Sequence, residues 1–257
     1  LYEVITDLTA FYPNSGGQPS DRGTLAGADV VDVIEREDEV IHITSTAVPL
    51  GPAQGRIDIE RRFDHTQQHS GQHILSGAFA SLFGVETVGF HLGDEYVTID
   101  LSAPDISHDQ WAAAERLACE VVFQNRPVTA TFWDRDALNN AIDPSRLRKL
   151  PTRAENIRLV DIDGFDLTPC GGTHVSASGE VGLIKITRTE RIRGITRVEF
   201  VCGRRALADY RWKNQAAYDA AAMLSVHARD LPESVRRLQI QLRDTSRQLE
   251  HALKDLY

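Results

Sequence analysis

Cysteine is scarce in this chain, three residues among 257. An odd, small number argues against a disulfide framework and for a reducing compartment, so a cytoplasmic location is expected. No apolar run approaches the length of a membrane span, and no signal peptide is visible. No internal repeat is present. No Met opens the chain, which starts inside a strand-like stretch, as expected of part of a longer protein. An excess of basic charge is lacking too: 28 Lys and Arg against 37 Asp and Glu give a net charge of -9. That balance counts against a nucleic-acid partner at first sight.

The distribution of charge softens that objection. Acidic residues crowd the first third, as in Asp29, Asp32, Glu35, Glu37, Asp38 and Glu39. Basic residues gather later, in Arg146, Arg148, Lys149 and Arg153, and again in Lys185, Arg188, Arg191, Arg193, Arg197, Arg204 and Arg205. A local positive face can hold phosphate on an acidic protein.

Three segments emerge, 1–58, 59–203 and 204–257, and the pattern is α+β. The first holds β-branched runs such as Val30 to Ile34 and Val40 to Ile43 around a charged turn, which predicts a small β-barrel module. In the second, a helix is expected from a cap at Asp64 to about Phe83, ended by Gly84. Strands are expected over Thr87 to His91 and Tyr96 to Leu101, then a helix over His108 to Asn125. Further strands are Val128 to Trp133, Ile157 to Ile162, Gly182 to Thr187 and Arg197 to Cys202, with a loop from Asn139 to Arg153. Cys119 and Cys202 read as buried small hydrophobes. In the third segment Val235, Leu238, Leu242, Thr245, Leu249, Ala252 and Leu256 form a heptad seam after Leu231-Pro232-Glu233. The seam calls for a partner helix, and a homodimer through these helices is one way to supply it.

Chemistry concentrates in two distant steps of four residues, His69-Ser70-Gly71-Gln72-His73 and Cys170-Gly171-Gly172-Thr173-His174. Imidazole and thiolate together suit Zn²⁺. The ligand set is therefore His69, His73, Cys170 and His174, if the fold brings both halves together. His65 has the same spacing from His69; Ile74 and Leu75 favour His73, leaving His65 behind or beside the ion. Four protein ligands close a tetrahedral site, which is usual for structural zinc. Catalysis needs a fifth position or a loose ligand, or Cys170 as nucleophile. A second constellation is Ser15-Gly16-Gly17-Gln18, whose glycines permit close backbone approach and whose amide can orient a water or a ribose hydroxyl.

Together these motifs resemble the editing domain of alanyl-tRNA synthetase, and more closely the free-standing AlaX editing proteins of the long form. The likeness runs through Ala10-Phe11-Tyr12-Pro13-Asn14-Ser15-Gly16-Gly17-Gln18-Pro19, Arg61 to His65, Gln67 to Ser76, Gly89 to Gly93, Cys170 to Val175 and Arg197 to Val201. It implies zinc on His69, His73, Cys170 and His174. It implies hydrolysis, in trans, of wrongly aminoacylated alanine tRNA, chiefly the seryl and glycyl esters. Long relatives carry a further C-terminal domain after a helical lead-in. The family usually has Thr after the first histidine; Ser70 here keeps the hydroxyl and loses a methyl. A site that hydrogen-bonds the serine hydroxyl rejects alanine, because alanine leaves its polar groups unpaired. Ser70, Gln18 and Thr173 are the candidates for that contact, and Gln18, Ser70 and Cys170 for catalysis. Gly16, Gly17 and Thr173 are candidates at the substrate, and Arg191 and Arg193 at tRNA. Competing readings are a zinc-stabilised RNA-binding module without catalysis, the related threonyl-tRNA synthetase editing domain, and a zinc hydrolase of small esters. The GGQ module and the GGT after Cys170 argue against the second of these.

Overall fold

The computed structural model describes residues 1–149 and 155–255. Its N-terminal strands are β1 (Tyr2–Ile5), β2 (Gly23–Leu25), β3 (Ala28–Arg36), β4 (Glu39–Thr44) and β5 (Gly55–Ile57). They pair antiparallel in the order β1-β4-β3-β2-β5, an open sheet and not the expected barrel. β1 and β5 are its two edges. A barrel needs tilted strands that wrap round to meet, and the three residues of β2 and of β5 are too few to carry the sheet round. Phe11, Leu25, Val30 and Val33 form a small core of its own against this sheet.

Helix α1 (Ile59–Phe83) follows. Asp58 caps it, accepting from the amides of Glu60 and Arg61. The start therefore lies ahead of the expected cap, Asp64, which instead takes the guanidinium of Arg205 at 2.6 Å. Gly84, in the left-handed conformation, ends the helix. Every residue from His65 to Phe79 is buried, although much of the run is polar. A helix hidden on all sides has to pair its polar side chains within the protein. Gln68 does so with the backbone of Cys202, donating at 3.0 Å and accepting at 2.8 Å. Gln67 donates to the Glu180 carbonyl at 2.7 Å, and Gln72 to the Ser76 hydroxyl at 2.8 Å.

Beyond α1 come β6 (Thr87–Leu92), β7 (Val97–Leu101), α2 (His108–Phe123), β8 (Val128–Trp133), α3 (Arg135–Ala141), β9 (Ile157–Ile162), β10 (Asp166–Pro169), β11 (Ile184–Ile192) and β12 (Ile195–Cys202). Ser107 opens α2 with a capping box to Gln110. One sheet runs β11-β12-β7-β6 and another β10-β9-β8. The main core lies among α1, α2 and the four-stranded sheet, with Phe79, Leu75, Ile99, Leu101, Ala118 and Phe200 wholly buried. Each of the leucine, isoleucine and phenylalanine side chains contributes roughly 1.5–3 kcal/mol by leaving water. Cys202 is buried there; Cys119 is only half-buried, its thiol donating to the Ile184 carbonyl at 3.3 Å.

The expected loop from Asn139 contains more structure than its polar sequence announced. α3 reaches Ala141 and a 3-10 turn spans Pro144–Arg146. Leu138 is the anchor, buried with Ile157, Leu159 and Leu167 in a third small core. Arg153 lies outside the described residues.

The chain divides into two compact units, Leu1–Ala206 and Leu207–Tyr257. The second consists of most of α4 (Gly203–Leu224) and of α5 (Leu231–Lys254). Among the described residues no helix is long and apolar enough to cross a membrane.

Candidate metal centre and the cavity beside it

α1 presents His69 and His73 one turn apart, both 2% exposed. β10 ends at Pro169 and delivers Cys170 into the loop that also carries His174. The donor atoms of His69, His73, Cys170 and His174 all lie within 4.8 Å of one another. Nε2 of His69 is 3.3 Å and Nε2 of His174 is 3.4 Å from the Cys170 sulfur. The N-to-S edge of a tetrahedral zinc site is about 3.5 Å for ordinary bond lengths. Three imidazoles and one thiolate in this arrangement fit a zinc ion in donor chemistry and in spacing.

Behind the donors, each histidine is held through its other nitrogen. His69 Nδ1 donates to the Gln18 side-chain oxygen at 2.7 Å. His73 Nδ1 donates to Asp166 Oδ2 at 3.1 Å. Amide and carboxylate oxygens only accept, so both rings turn an Nε2 lone pair inward. His174 Nδ1 lies 3.3 Å from the Ser70 hydroxyl, which also accepts from the Val175 amide at 3.1 Å. Asp166 is itself clamped by Arg148 at 2.5 and 3.1 Å. Arg148 thus belongs to the centre, and its charge is spent there.

The electrostatics follow from this packing. Burial would raise the Cys170 thiol, but hydrogen bonds from His174, His69 and His73 outweigh it and hold the group well below its usual range. Burial lowers His69, and lowers His174 to about 3 with the charge of His73 adding to the effect. His73 moves the other way: burial acts against its charged form, but Asp166 and Cys170 hold it up. A metal ion requires a thiolate and neutral imidazoles; Cys170, His69 and His174 are shifted that way, whereas His73 is shifted the other way and must release its proton when a metal binds.

The GGQ turn supports the centre from the far side. Gln18, wholly buried, also donates to the Thr173 hydroxyl at 2.9 Å and accepts from the Thr173 amide at 3.1 Å. Thr173 in turn meets the Thr66 hydroxyl at 2.8 Å. Gly17, with φ of 82°, leaves room for the Phe90 ring, which packs 4.9 Å from the His69 ring. Gly16 is exposed at the turn. Gln18, Ser70 and Thr173 therefore stand behind the ligands with their polar atoms engaged. Arg191 and Arg193 are elsewhere, at the β11–β12 hairpin, and Arg191 pairs with Asp105 at 2.5 Å. Arg193 is five positions from Val198, the residue level with Phe90 across the sheet, on the order of 17 Å of strand. Of the other basic residues, Arg197 is paired with Asp100, Arg205 with Asp64 and Lys185 with Glu115.

His65 is buried but outside the cluster, and its Nδ1 has no partner among the described residues. Sequence reasoning also passed over Asp166, Arg158 and Tyr12. Arg158 donates from Nη1 to the carbonyls of Cys170 at 2.7 Å and Gly172 at 3.0 Å, fixing the ligand loop. A carboxylate placed four residues before a candidate metal cysteine was the available signal for Asp166. No comparable local pattern marks Arg158. A cavity of about 460 Å³ opens beside Cys170 and Gly171, walled by Tyr12, Ser15, Glu35 and Arg158. Burial and the Cys170 charge push the Tyr12 phenol up to about 12, so it is a neutral hydroxyl.

This α+β fold around a His₃Cys centre defines a class: residues 157–199 match the family model described as the threonyl and alanyl tRNA synthetase second additional domain. Over nearly its whole length the chain is similar to alanyl-tRNA editing proteins, as its motifs implied. It is 34% identical to alanyl-tRNA editing protein AlaX-L of Pyrococcus horikoshii, over 99% of this chain and 63% of the relative. It is 36% identical to alanyl-tRNA editing protein Aarsd1 of Bos taurus, over 93% of this chain and 54% of the relative. Similarity extends to alanine–tRNA ligase of Pyrococcus abyssi, at 31% identity over 98% of this chain and 29% of that protein. The chain thus spans a little over half the length of the editing relatives it matches.

Proposed function

We propose that this protein hydrolyses the ester of mischarged alanine tRNA, the seryl and glycyl forms, in trans, at a zinc centre held by His69, His73, Cys170 and His174. The observation that carries the reading is the convergence of these four donors next to an open cavity. Similarity along nearly the whole chain to proteins named as alanyl-tRNA editing proteins supports the substrate.

A zinc ion there supplies Lewis-acid polarisation of an ester carbonyl or a bound water of lowered pKa. The protein's own groups do the rest. Gln18, Asp166 and Ser70 fix the three rings, so no reorganisation of the ligands is needed when substrate arrives. Arg158 holds the Cys170 loop against β9 and leaves Gly171 at the cavity wall. Gln18 and Ser70 act here by positioning; Ser70, Gln18 and Thr173 set serine selectivity through the placement of His69, His174 and the loop. Arg191 and Arg193 contribute to tRNA contact away from the reacting ester. The exposed apolar positions Val235, Leu238, Leu242 and Leu249 of α5 support a helix partner, a second copy being the simplest.

One observation favours a second reading. Four protein donors complete a tetrahedron, which is the signature of structural zinc, and the protein would then bind tRNA without catalysis. The experiment is deacylation of seryl- against alanyl-tRNA for alanine at limiting enzyme. Rapid loss of the seryl ester with the alanyl ester spared supports editing. No hydrolysis by folded, zinc-loaded protein, with melting on chelation, supports the structural ion.

A further inference from the structure

The cavity beside Cys170 carries an uneven set of charges. Arg158 spends Nη1 on two loop carbonyls, and among the described residues its Nε and Nη2 make no hydrogen bond. Glu35, near the end of β3, lines the same cavity, and its carboxylate makes no hydrogen bond or ion pair with any described residue. Its neighbour Arg36 is committed to Glu3 at 2.8 Å. β3 is fastened to the GGQ turn, since the Asn14 amide donates to the Val33 carbonyl at 2.9 Å. Glu35 thus sits on a strand tied to the GGQ turn and lines the same cavity as Cys170 and Gly171 of the ligand loop. The cavity lining thus includes one unneutralised carboxylate and one half-used guanidinium together with Cys170 of the donor cluster.

We propose that Glu35 binds the free α-ammonium group of the aminoacyl ester, and so restricts this site to aminoacyl esters whose amino group is unblocked. The proposal rests on the editing function given above. The charge pattern matches the reacting end of the substrate, in which a cationic ammonium sits on one side of the ester and an anionic phosphodiester on the other. A carboxylate pairs with ammonium through charge-assisted hydrogen bonds, and N-acylation removes both the charge and two of the donors. A peptidyl or N-formyl ester would leave Glu35 without its partner in a partly enclosed cavity.

The test uses zinc-loaded full-length protein, seryl-tRNA for alanine and its N-acetylseryl counterpart, with wild type and Glu35→Gln. Glu35 is exposed on a strand, so zinc content and thermal midpoint should stay at the wild-type values. Wild type is expected to prefer the free amine. Glu35→Gln should raise KM for seryl-tRNA about tenfold with kcat little changed, and leave the N-acetyl ester unaffected. Equal loss on both esters, or no loss on seryl-tRNA, overturns the proposal while leaving the editing function standing. No hydrolysis of either ester by the wild type overturns both.

Discussion

His69 Nδ1 donates to Gln18 Oε1 at 2.7 Å across 51 positions of sequence. This contact joins the turn that follows the first strand to the helix bearing two of the four donors. Gln18 is wholly buried and makes three contacts at once. Gln18→Ala strands the His69 N–H and the Thr173 amide without acceptors. Outer partners of this kind are worth ten- to a hundredfold in metal affinity, so a drop of about that size is expected. Gln18→Glu keeps an acceptor for His69 but loses the donation to Thr173, and should fall between. Competition with a chromogenic chelator reads the affinity; an unchanged value for Gln18→Ala would mean that His69 is held by other means.

The two glycines of the ligand loop should behave differently. A Cβ at Gly172 would overlap the His69 ring, whereas one at Gly171 meets nothing within 4 Å. Gly172→Ala is expected to abolish zinc retention, and Gly171→Ala to keep a full equivalent of metal. Elemental analysis of the two purified variants decides. Loss of metal in both would point to a backbone requirement in place of a steric one.

Much of this site is legible in the sequence because its donors come in two local, regular steps. A helix turn places His69 and His73 together, and a glycine loop places Cys170 and His174 together. The partners that orient them are not legible in the same way. Gln18 is read as facing substrate because a GGQ turn has no local feature that reveals burial; its role arises only when β6 docks on Gly17, through the Leu92 amide at 3.1 Å. Arg148 joins a basic cluster in sequence but is neutralised by Asp166 from a strand eighteen residues on. The open N-terminal sheet shows a similar limit: strand patterns give alternation, but closure depends on lengths and tilts that alternation does not encode.

Asp166 ties His73 to Arg148 with its side chain 1% exposed and that of Arg148 14% exposed. Breaking one side of a buried pair leaves the other charge uncompensated. Asp166→Asn is therefore expected to cost about 3–5 kcal/mol, and to weaken metal binding through His73. Arg148→Met alone should cost a similar amount. The double variant should be less destabilised than the sum, because neither charge remains to be solvated. Urea unfolding of the four proteins with saturating zinc measures the coupling, and strict additivity would show that the pair acts independently.

His65 supplies the last prediction, on acid stability. The ring is 2% exposed and its Nδ1 has no partner among the described residues. Burial lowers its pKa to about 4, with Arg61 and Arg205 adding to the effect and Asp64 and Asp21 opposing it. The folded protein therefore holds this ring neutral, while the unfolded chain takes up a proton near pH 6.5. Its contribution is intact above pH 6.5 and is lost as pH falls towards 4, because the unfolded state binds the extra proton. Over the span from pH 7.5 to pH 5 the loss is on the order of 1–2 kcal/mol. His65→Leu removes both the proton site and the orphaned nitrogen. Between pH 7.5 and pH 5 the unfolding free energy of the wild type should then fall relative to that of His65→Leu by about that amount, whatever the common metal-site histidines do. Parallel pH curves would show that His65 is solvated or paired in the native state, and that its burial does not govern its protonation.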